Sequence, residues 1–245
     1  MELSKRLSAV AGLVTTGYRL ADIGTDHAYI PIYLVRKGRV PLAVAMDINR
    51  GPLLRAKENI RAWGYEDRIA TRISNGFEAL GEEEADAAVI AGMGGGLMTR
   101  ILKDGSRVVR SLKECVLQPQ SETEKVRTFL LEEGFCFTEE TMVEEDGKYY
   151  PVMKVTPPPA GNGEDAESRP GGKSEWTETE KRYGKLLLCG RNPVLKEYLE
   201  REIRIRKRIL KELEKENSRR TVQRMRELRD EMEHARKGLE YYVVQ

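Results

Sequence analysis

Short apolar runs alternate with helical segments over residues 1–156, and this alternation constrains the fold more than any other feature. Five runs end in polar residues or glycine and are separated mainly by stretches with helical spacing; they cover 19–23, 42–46, 69–73, 85–90 and 115–117. Two further runs, 135–143 and 148–155, flank an Asp-Gly turn signal and predict a β-hairpin. The pattern predicts an α/β fold with a doubly wound, mainly parallel sheet and helices on both faces.

The composition changes twice along the chain. Residues 157–174 contain four Pro and four Gly and almost nothing apolar, which predicts a linker or loop. Beyond it, apolar residues fall at helical spacing in two blocks, which predicts a helical hairpin with coiled-coil character. We therefore predict a sheet domain at 1–156, a linker at 157–174 and a helical domain at 175–245. A hairpin that only packs on the sheet domain or on a second subunit is the alternative.

Several classes of protein are disfavoured. No apolar run approaches the roughly 18 residues of a membrane span, and the first residues lack the apolar core of a signal peptide. Three cysteines without a CxxC pair and two distant histidines predict neither a disulfide framework nor a metal site. We expect a cytoplasmic protein without metal, as a monomer or weak dimer.

The positive charge lies in the C-terminal part. Residues 175–245 hold 19 Lys and Arg against 14 Asp and Glu, a net charge of +5, while the whole chain carries +2. The charge is densest over 201–211, where six basic residues face one acid, Glu202. Such a face fits a phosphate backbone, and a solvated coiled-coil exterior fits as well. The candidate substrate-binding residues are Arg204, Arg208 and Lys211.

The end of the first predicted strand carries a possible ligand loop, Asp22-Ile23-Gly24-Thr25-Asp26-His27. Ligands of doubly wound sheets bind outside the carboxyl ends of the strands, and a glycine there lets a ligand approach the backbone closely. Asp26 stands where the dinucleotide fingerprint has its second glycine. A carboxylate at that point repels a pyrophosphate but attracts an amine or a sulfonium.

The next three strand ends add polar groups to the same sheet edge. Asp47 closes the second strand, where an acid commonly binds ribose hydroxyls. Asn75 follows the third strand and can hydrogen-bond an adenine edge, although Asn75-Gly76 is also a turn signal. The glycine run after the fourth strand either exposes amides to a ligand or permits close helix–sheet contact. Together these ends favour a nucleoside cofactor with a cationic end, which S-adenosylmethionine fits better than NAD. The candidate cofactor-binding residues are Asp22, Gly24, Asp26, His27, Asp47, Asn75, Gly76, Gly92 and Met93.

An ordered set of motifs resembles the bacterial tRNA (adenine-22-N1)-methyltransferases. The motifs are SKRL (4–7), DIGTDHAYIPI (22–32), SNG (74–76), IAGMGGG (90–96), LQP (117–119), LEEGF (131–135) and EEDGKYY (144–150). The resemblance covers essentially all of 1–156 and extends to the arrangement of the C-terminal helices. Three features depart from the family pattern: Asp47 replaces a frequent Glu, Gln120 follows LQP where Asn is commoner, and the linker is longer and more polar.

The resemblance implies a class I, Rossmann-like methyltransferase fold with a C-terminal coiled-coil domain. It also implies S-adenosylmethionine as the methyl donor and N1 of adenine 22 in the tRNA D-loop as the acceptor. The C-terminal domain would help to hold tRNA. In this interpretation the enzyme mainly aligns the reactants, because N1 already carries an in-plane lone pair.

Two residues are candidates for catalysis. Asp26 can stabilise the cationic methylated base, or it can hold the methionine end of the donor. Tyr29 can stack on the extruded base, or it can be a core-facing residue of an amphipathic helix. His27 is most simply a loop residue bonded to the backbone.

Other functional classes remain open at this point. One is an S-adenosylmethionine-dependent enzyme that acts on another RNA site, a protein or a small molecule. Another is a noncatalytic RNA-binding or scaffold protein that retains the fold. The basic helical segment disfavours a small substrate, and the intact set of Gly24, Asp26 and Asp47 disfavours a protein without catalysis.

Overall fold

The computed structural model describes residues 1–159, 175–215 and 219–243. The chain divides into two compact units, Met1–Ser174 and Glu175–Gln245. Each unit is described by itself. Most of the predicted linker, residues 160–174, lies outside the described residues.

The first unit is built from seven strands and six helices within its described residues. The strands are β1 (Leu20–Ile23), β2 (Ala43–Asp47), β3 (Ile69–Ile73), β4 (Ala87–Gly94), β5 (Glu114–Ser121), β6 (Cys136–Glu145) and β7 (Lys148–Thr156). The helices are α1 (Lys5–Leu13), α2 (Tyr29–Arg36), α3 (Arg50–Ala62), α4 (Gly95–Asp104), α5 (Ser106–Val109) and α6 (Thr123–Glu132).

All seven strands form one sheet in the order β3-β2-β1-β4-β5-β7-β6. Strands β1 to β5 pair in parallel, while β7 pairs antiparallel with β5 and β6 antiparallel with β7. The predicted doubly wound sheet and the predicted hairpin are both confirmed. The strand order reverses between β1 and β4, which makes the carboxyl ends of these two strands the topological switch point of the sheet.

Apolar side chains cover both faces of the sheet. On β1, Ala21 and Ile23 join one buried cluster with residues of α4 and α6, whereas Leu20 joins a second cluster with residues of α1, α2 and α3. Successive side chains of a strand point to opposite faces, so a strand between two helical layers must be apolar throughout. This requirement explains the short continuous apolar runs in the sequence.

Some element boundaries differ from the prediction. Helix α2 begins at Tyr29, because the preceding residue, Ala28, takes a left-handed conformation with φ of 54°. Strands β4 and β5 pair beyond their predicted ends at 90 and 117. The pairing continues through two register shifts around Met93, which accommodate Gly92 at φ of 81°.

The second unit is helical in its described residues. Its helices are α7 (Glu178–Tyr183), α8 (Lys185–Cys189), α9 (Pro193–Leu213) and α10 (Arg219–Glu240). The two long helices confirm the predicted hairpin and pack through a small cluster that includes Leu210, Leu228 and Met232. The short helices α7 and α8 were not predicted. None of the helices in the described ranges is both long and apolar enough to cross a bilayer.

Candidate active site

The loop after β1 is tied to the end of β2. The backbone N–H groups of Gly24 and Thr25 both donate to the Met46 carbonyl, at 2.7 and 2.9 Å. Gly24 has φ of 76°, and a Cβ built on it would overlap the terminal methyl of Met93. Glycine is therefore required here for its conformation and for the close approach of Met93, and the structure brings these two predicted residues together.

Asp22 is a buried carboxyl group beneath this loop, with 7% of its surface exposed. Burial raises its pKa to about 6; the nearby Asp47 carboxylate adds to the rise, and a hydrogen bond with Thr25 opposes it. The Thr25 hydroxyl also accepts a hydrogen bond from Ala28 N at 3.1 Å. Thr25, which the sequence analysis did not single out, thus joins the carboxyl group to the turn before α2.

Asp26, His27 and Tyr29 form a connected group at the surface. Arg55 of α3 donates to Asp26 Oδ1 through Nε at 3.0 Å and also through Nη2. His27 Nε2 lies 3.2 Å from Asp26 Oδ2. The His27 and Tyr29 rings stack, with centroids 4.8 Å apart and planes 8° apart. The expectation of a backbone-bonded His27 ring is therefore wrong, because its described partners are Asp26 and Tyr29.

The structure also decides between the two placements of Tyr29. The side chain is 41% exposed, so the core-facing alternative is wrong. It is the first residue of α2, where the chain leaves the carboxyl edge of the sheet. Arg55 was missed because it lies 29 residues from Asp26 on a helix whose pattern gives no sign of the contact.

The ends of β2 and β3 supply polar and apolar groups side by side. Asp47 is opposite Ile73 in the pairing of these strands, and Asp47 Oδ1 accepts a hydrogen bond from Asn49 N at 2.7 Å. Ile48 directly follows β2 and Ile73 is the last residue of β3, and the two are 59% and 52% exposed. Exposed isoleucines beside a carboxylate suit a flat apolar ring linked to a hydroxylated sugar.

Asn75 and Gly76 form a turn at the same edge. Gly76 has φ of 58°, and the Asn75 side chain donates to Glu78 Oε1 at 2.8 Å. The turn interpretation of Asn75-Gly76 is therefore correct. Asn75 is the second residue after β3, so its exposed side chain lies at the edge where Asp47 ends β2.

The ends of β4 and β5 hold a second group of side chains. Gly92 lies between Arg6 of α1 and Gln120 of β5. Arg6 Nη1 donates to Gln118 Oε1 at 2.9 Å, and the Arg6 guanidinium lies 5.7 Å from the centroid of the Tyr150 ring. No role was predicted for Arg6 or Tyr150, although each lies in a motif of the resemblance.

The basic residues of the second unit divide into exposed and neutralised ones. Arg204, Arg208 and Lys211 are exposed on α9 at spacings of four and three residues, which places them on one helix face. Arg206 is different, because it pairs with both Glu202 and Glu231. The stretch 201–211 itself holds one acid, Glu202, and the structure brings a second acid, Glu231 of α10, against it.

The chemistry of the first unit's edge fits an S-adenosylmethionine-type ligand. Its carboxylates suit a cationic end and sugar hydroxyls, its exposed isoleucines suit an adenine ring, and the φ of 76° at Gly24 favours glycine in the loop between them. Among the described residues, no group of three or more His, Cys, Asp or Glu side chains is placed to hold a metal ion.

Comparisons with known proteins assign the chain to a family. Residues 3–153 match the family described as a methyltransferase domain. The curated tRNA (adenine(22)-N(1))-methyltransferase of Bacillus subtilis is 39% identical over 153 residues, and the match covers 62% of this chain and 64% of that relative. The aligned segment thus spans just under two thirds of the curated relative.

Solved structures extend the similarity to nearly the whole chain. The structure of the Bacillus subtilis m1A22 tRNA methyltransferase TrmK is 31% identical, with a TM-score of 0.79 and coverage of 97% of this chain and 99% of that one. A Streptococcus pneumoniae protein in complex with S-adenosyl-L-methionine is 30% identical, with a TM-score of 0.81 and coverage of 97% and 100%. The chain therefore has a Rossmann-like methyltransferase fold and belongs to the tRNA (adenine-22-N1)-methyltransferase family, which includes TrmK.

Proposed function

We propose that this protein transfers a methyl group from S-adenosylmethionine to N1 of adenine 22 in the D-loop of tRNA. The observation that carries the proposal is the switch point of the sheet, where Gly24 lies against Met93 and two carboxyl groups, Asp22 and Asp47, lie nearby. Family membership supplies the acceptor, and the residues at the sheet edge supply a site that suits the donor.

Each part of the donor has a proposed partner. Asp47 accepts hydrogen bonds from the ribose hydroxyls, and Ile48 and Ile73 pack against the adenine ring beside Asn75. Asp22 and Asp26 favour the positively charged methionine end through their negative charge. Gly24, Gly76 and Gly92 contribute backbone groups at the same edge, and His27 and Met93 border the same space. When bound, the donor supplies an electrophilic methyl group on a sulfonium.

The protein's contribution to the chemistry is mainly alignment. Adenine N1 has an in-plane lone pair, so the protein does not need a strong base to activate it. Holding the reactants in line and close together can be worth about 7–11 kcal/mol of barrier. The methylated base is cationic, and the Asp26 carboxylate, although paired with Arg55 and His27, is the proposed group that stabilises it. Tyr29 offers an exposed ring on which the extruded base can stack.

The two units have different proposed roles. The sheet domain, 1–156, binds the donor and carries out the reaction, and the helical domain, 175–245, holds tRNA through Arg204, Arg208 and Lys211. The segment 157–174 joins them as a linker. We further infer a cytoplasmic location, where tRNA is modified, and a monomer or weak dimer.

A methylation assay tests the proposed reaction. The purified protein is incubated with S-adenosylmethionine and an unmodified tRNA, and the digested tRNA is analysed by mass spectrometry for 1-methyladenosine. The control tRNA carries guanosine at position 22. Product that appears only with adenine 22 supports both the reaction and the position. Product that persists in the control would contradict the position, and no product despite donor binding would point to a different acceptor.

Neutralising the exposed face of α9 is expected to weaken tRNA binding. The triple variant R204Q/R208Q/K211Q loses up to three phosphate contacts. The slope of log affinity against log salt should therefore become less negative by roughly 2–3. Fluorescence titration of labelled tRNA at several salt concentrations measures this, and donor affinity should stay unchanged.

A matched triple variant controls for the change in net charge. Arg224, Arg229 and Arg236 of α10 each lie within 4.0 Å of a carboxylate oxygen, so their replacement by Gln should alter the slope much less. Equal slopes for the two triple variants would assign the α9 residues to the solvated exterior of the hairpin.

A further inference from the structure

The acceptor base needs a position across the switch point from the proposed donor-binding residues. The proposed donor-binding residues follow β3, β2 and β1, and they end at Gly92 and Met93 on β4. The sheet continues through β5. If the proposed function is correct, on which this inference rests, the target adenine therefore approaches from the ends of β4 and β5.

The side chains of Arg6 and Gln120 flank Gly92 at these strand ends. Gly92 is exposed and lacks a side chain, and the position where a Cβ would lie is 3.5 Å from Arg6 Nη1 and 4.0 Å from Gln120 Nε2. We call Gly92, Arg6 and Gln120 the acceptor seat. The seat consists of the Gly92 backbone, the planar Arg6 guanidinium and the Gln120 amide.

Arg6 is held firmly in the acceptor seat. Its partner Gln118 is fully buried, and the Gln118 amide is itself oriented by a 2.8 Å hydrogen bond from Nε2 to the Pro119 carbonyl. The ring of Tyr150 is the other contact of the Arg6 guanidinium. Both partners are uncharged, so they fix the position of Arg6 without neutralising it.

Gln120 has its hydrogen-bonding groups available. The residue is exposed, and within the described ranges its side chain has no hydrogen-bond partner. It directly follows the buried Pro119 near the end of β5. A free amide beside an exposed backbone can offer one donor and one acceptor to a planar ligand.

The chemistry of the reaction selects the adenine edge that Gln120 can contact. N1 must stay free to attack the methyl group, so the Watson–Crick edge cannot be used for recognition at that atom. A Gln amide can instead accept from the N6 amino group and donate to N7. Guanine presents two acceptors, N7 and O6, and cannot satisfy both amide groups.

We propose that the acceptor seat takes the target adenine, with Gln120 hydrogen-bonded to its N6–N7 edge. Gln120 is then a specificity-determining residue that recognises adenine while leaving N1 open. Arg6, fixed by Gln118 and Tyr150, bounds the seat beside Gly92.

A double-mutant cycle between enzyme and tRNA tests the contact. Wild-type protein and Q120A are each assayed for kcat/KM on tRNA with adenosine and with 7-deazaadenosine at position 22. Q120A alone should lower kcat/KM roughly 5- to 100-fold, the usual value of a bidentate base contact, and 7-deazaadenosine alone should lower it less, because it removes only the hydrogen bond to N7. For Q120A, 7-deazaadenosine should lower kcat/KM little further, because that hydrogen bond is already absent. The altered basicity of N1 in 7-deazaadenine affects both enzymes equally and cancels in the comparison.

The variant S121A serves as the control, because it removes a polar group from the exposed neighbour of Gln120. Its effect should simply multiply with that of 7-deazaadenosine. Multiplicative losses for Q120A as well would overturn the proposed contact while leaving the methyltransferase activity standing. Failure of the wild-type protein to methylate ordinary tRNA would overturn the proposed function and this inference with it.

Discussion

Replacement of Asp22 by Asn is expected to stabilise the fold at pH 7.5. Burial raises the pKa of Asp22 from 3.8 to about 6. Because this pKa is raised, the folded state binds more protons than the unfolded state between these values, and stability is lost as the pH rises from about 4 to about 6. A shift of this size corresponds to about 3 kcal/mol. Asn cannot ionise and retains an oxygen that can accept from Thr25.

The same variant is expected to bind the donor more weakly. In the proposed site Asp22 contributes negative charge near the cationic end of S-adenosylmethionine, and D22N removes it. We expect donor affinity to fall roughly tenfold, the effect of losing about 1.4 kcal/mol of attraction. A carboxyl group kept buried at a cost in stability is consistent with selection for function rather than for folding.

Two measurements check this prediction. Urea unfolding at pH 4.0 and pH 7.5 should show that the advantage of D22N is greater at the higher pH, and calorimetry should show the loss of donor affinity. D67N, which changes an exposed carboxylate, should alter neither quantity. If D22N were less stable at both pH values and bound the donor normally, Asp22 would be a structural residue.

Much of the first unit's fold could be predicted because its buried strands are short and apolar. A sheet covered on both faces requires this pattern, and glycine or a polar residue follows most of the predicted runs and marks their ends. The exceptions have a local cause. Residues 92–94 lack any periodicity that would indicate the continuation of β4. There Met93 pairs with Pro119 and Gly94 with Ser121 of β5, and the register shifts lie on either side of Met93.

The candidate donor residues could be placed at one sheet edge for the same reason, since the strand ends locate them. Contacts between distant residues could not be predicted. Arg55 and Asp26 are 29 residues apart, and Arg6 and Gln118 are 112 apart. The exposure of Tyr29 also depends on the left-handed conformation of Ala28, which a helical pattern does not reveal.

Removal of Arg127 alone is expected to cost about 3–5 kcal/mol of stability, because it takes an ion-pair partner away from a buried carboxylate. Arg127 Nε lies 2.9 Å from Glu140 Oε1, and the two side chains are 1% and 0% exposed. The pair joins α6 to β6, so it anchors the β6–β7 hairpin. Urea unfolding of R127M measures the loss, and K125M, which breaks an exposed ion pair with Glu122, should show little change.

The double variant R127M/E140M distinguishes two causes of instability in R127M: a buried charge without its Arg127 partner, and the loss of the link between α6 and β6. Replacing both charges with apolar side chains removes the desolvation cost as well as the attraction, so stability should return to near the wild-type value or exceed it. The hairpin also carries Tyr150, which contacts Arg6. If the hairpin holds Tyr150 in place, R127M should also slow methylation, and R127M/E140M should restore the rate together with the stability. Recovery of stability without recovery of rate would mean that the ion pair itself orients the hairpin toward the acceptor side.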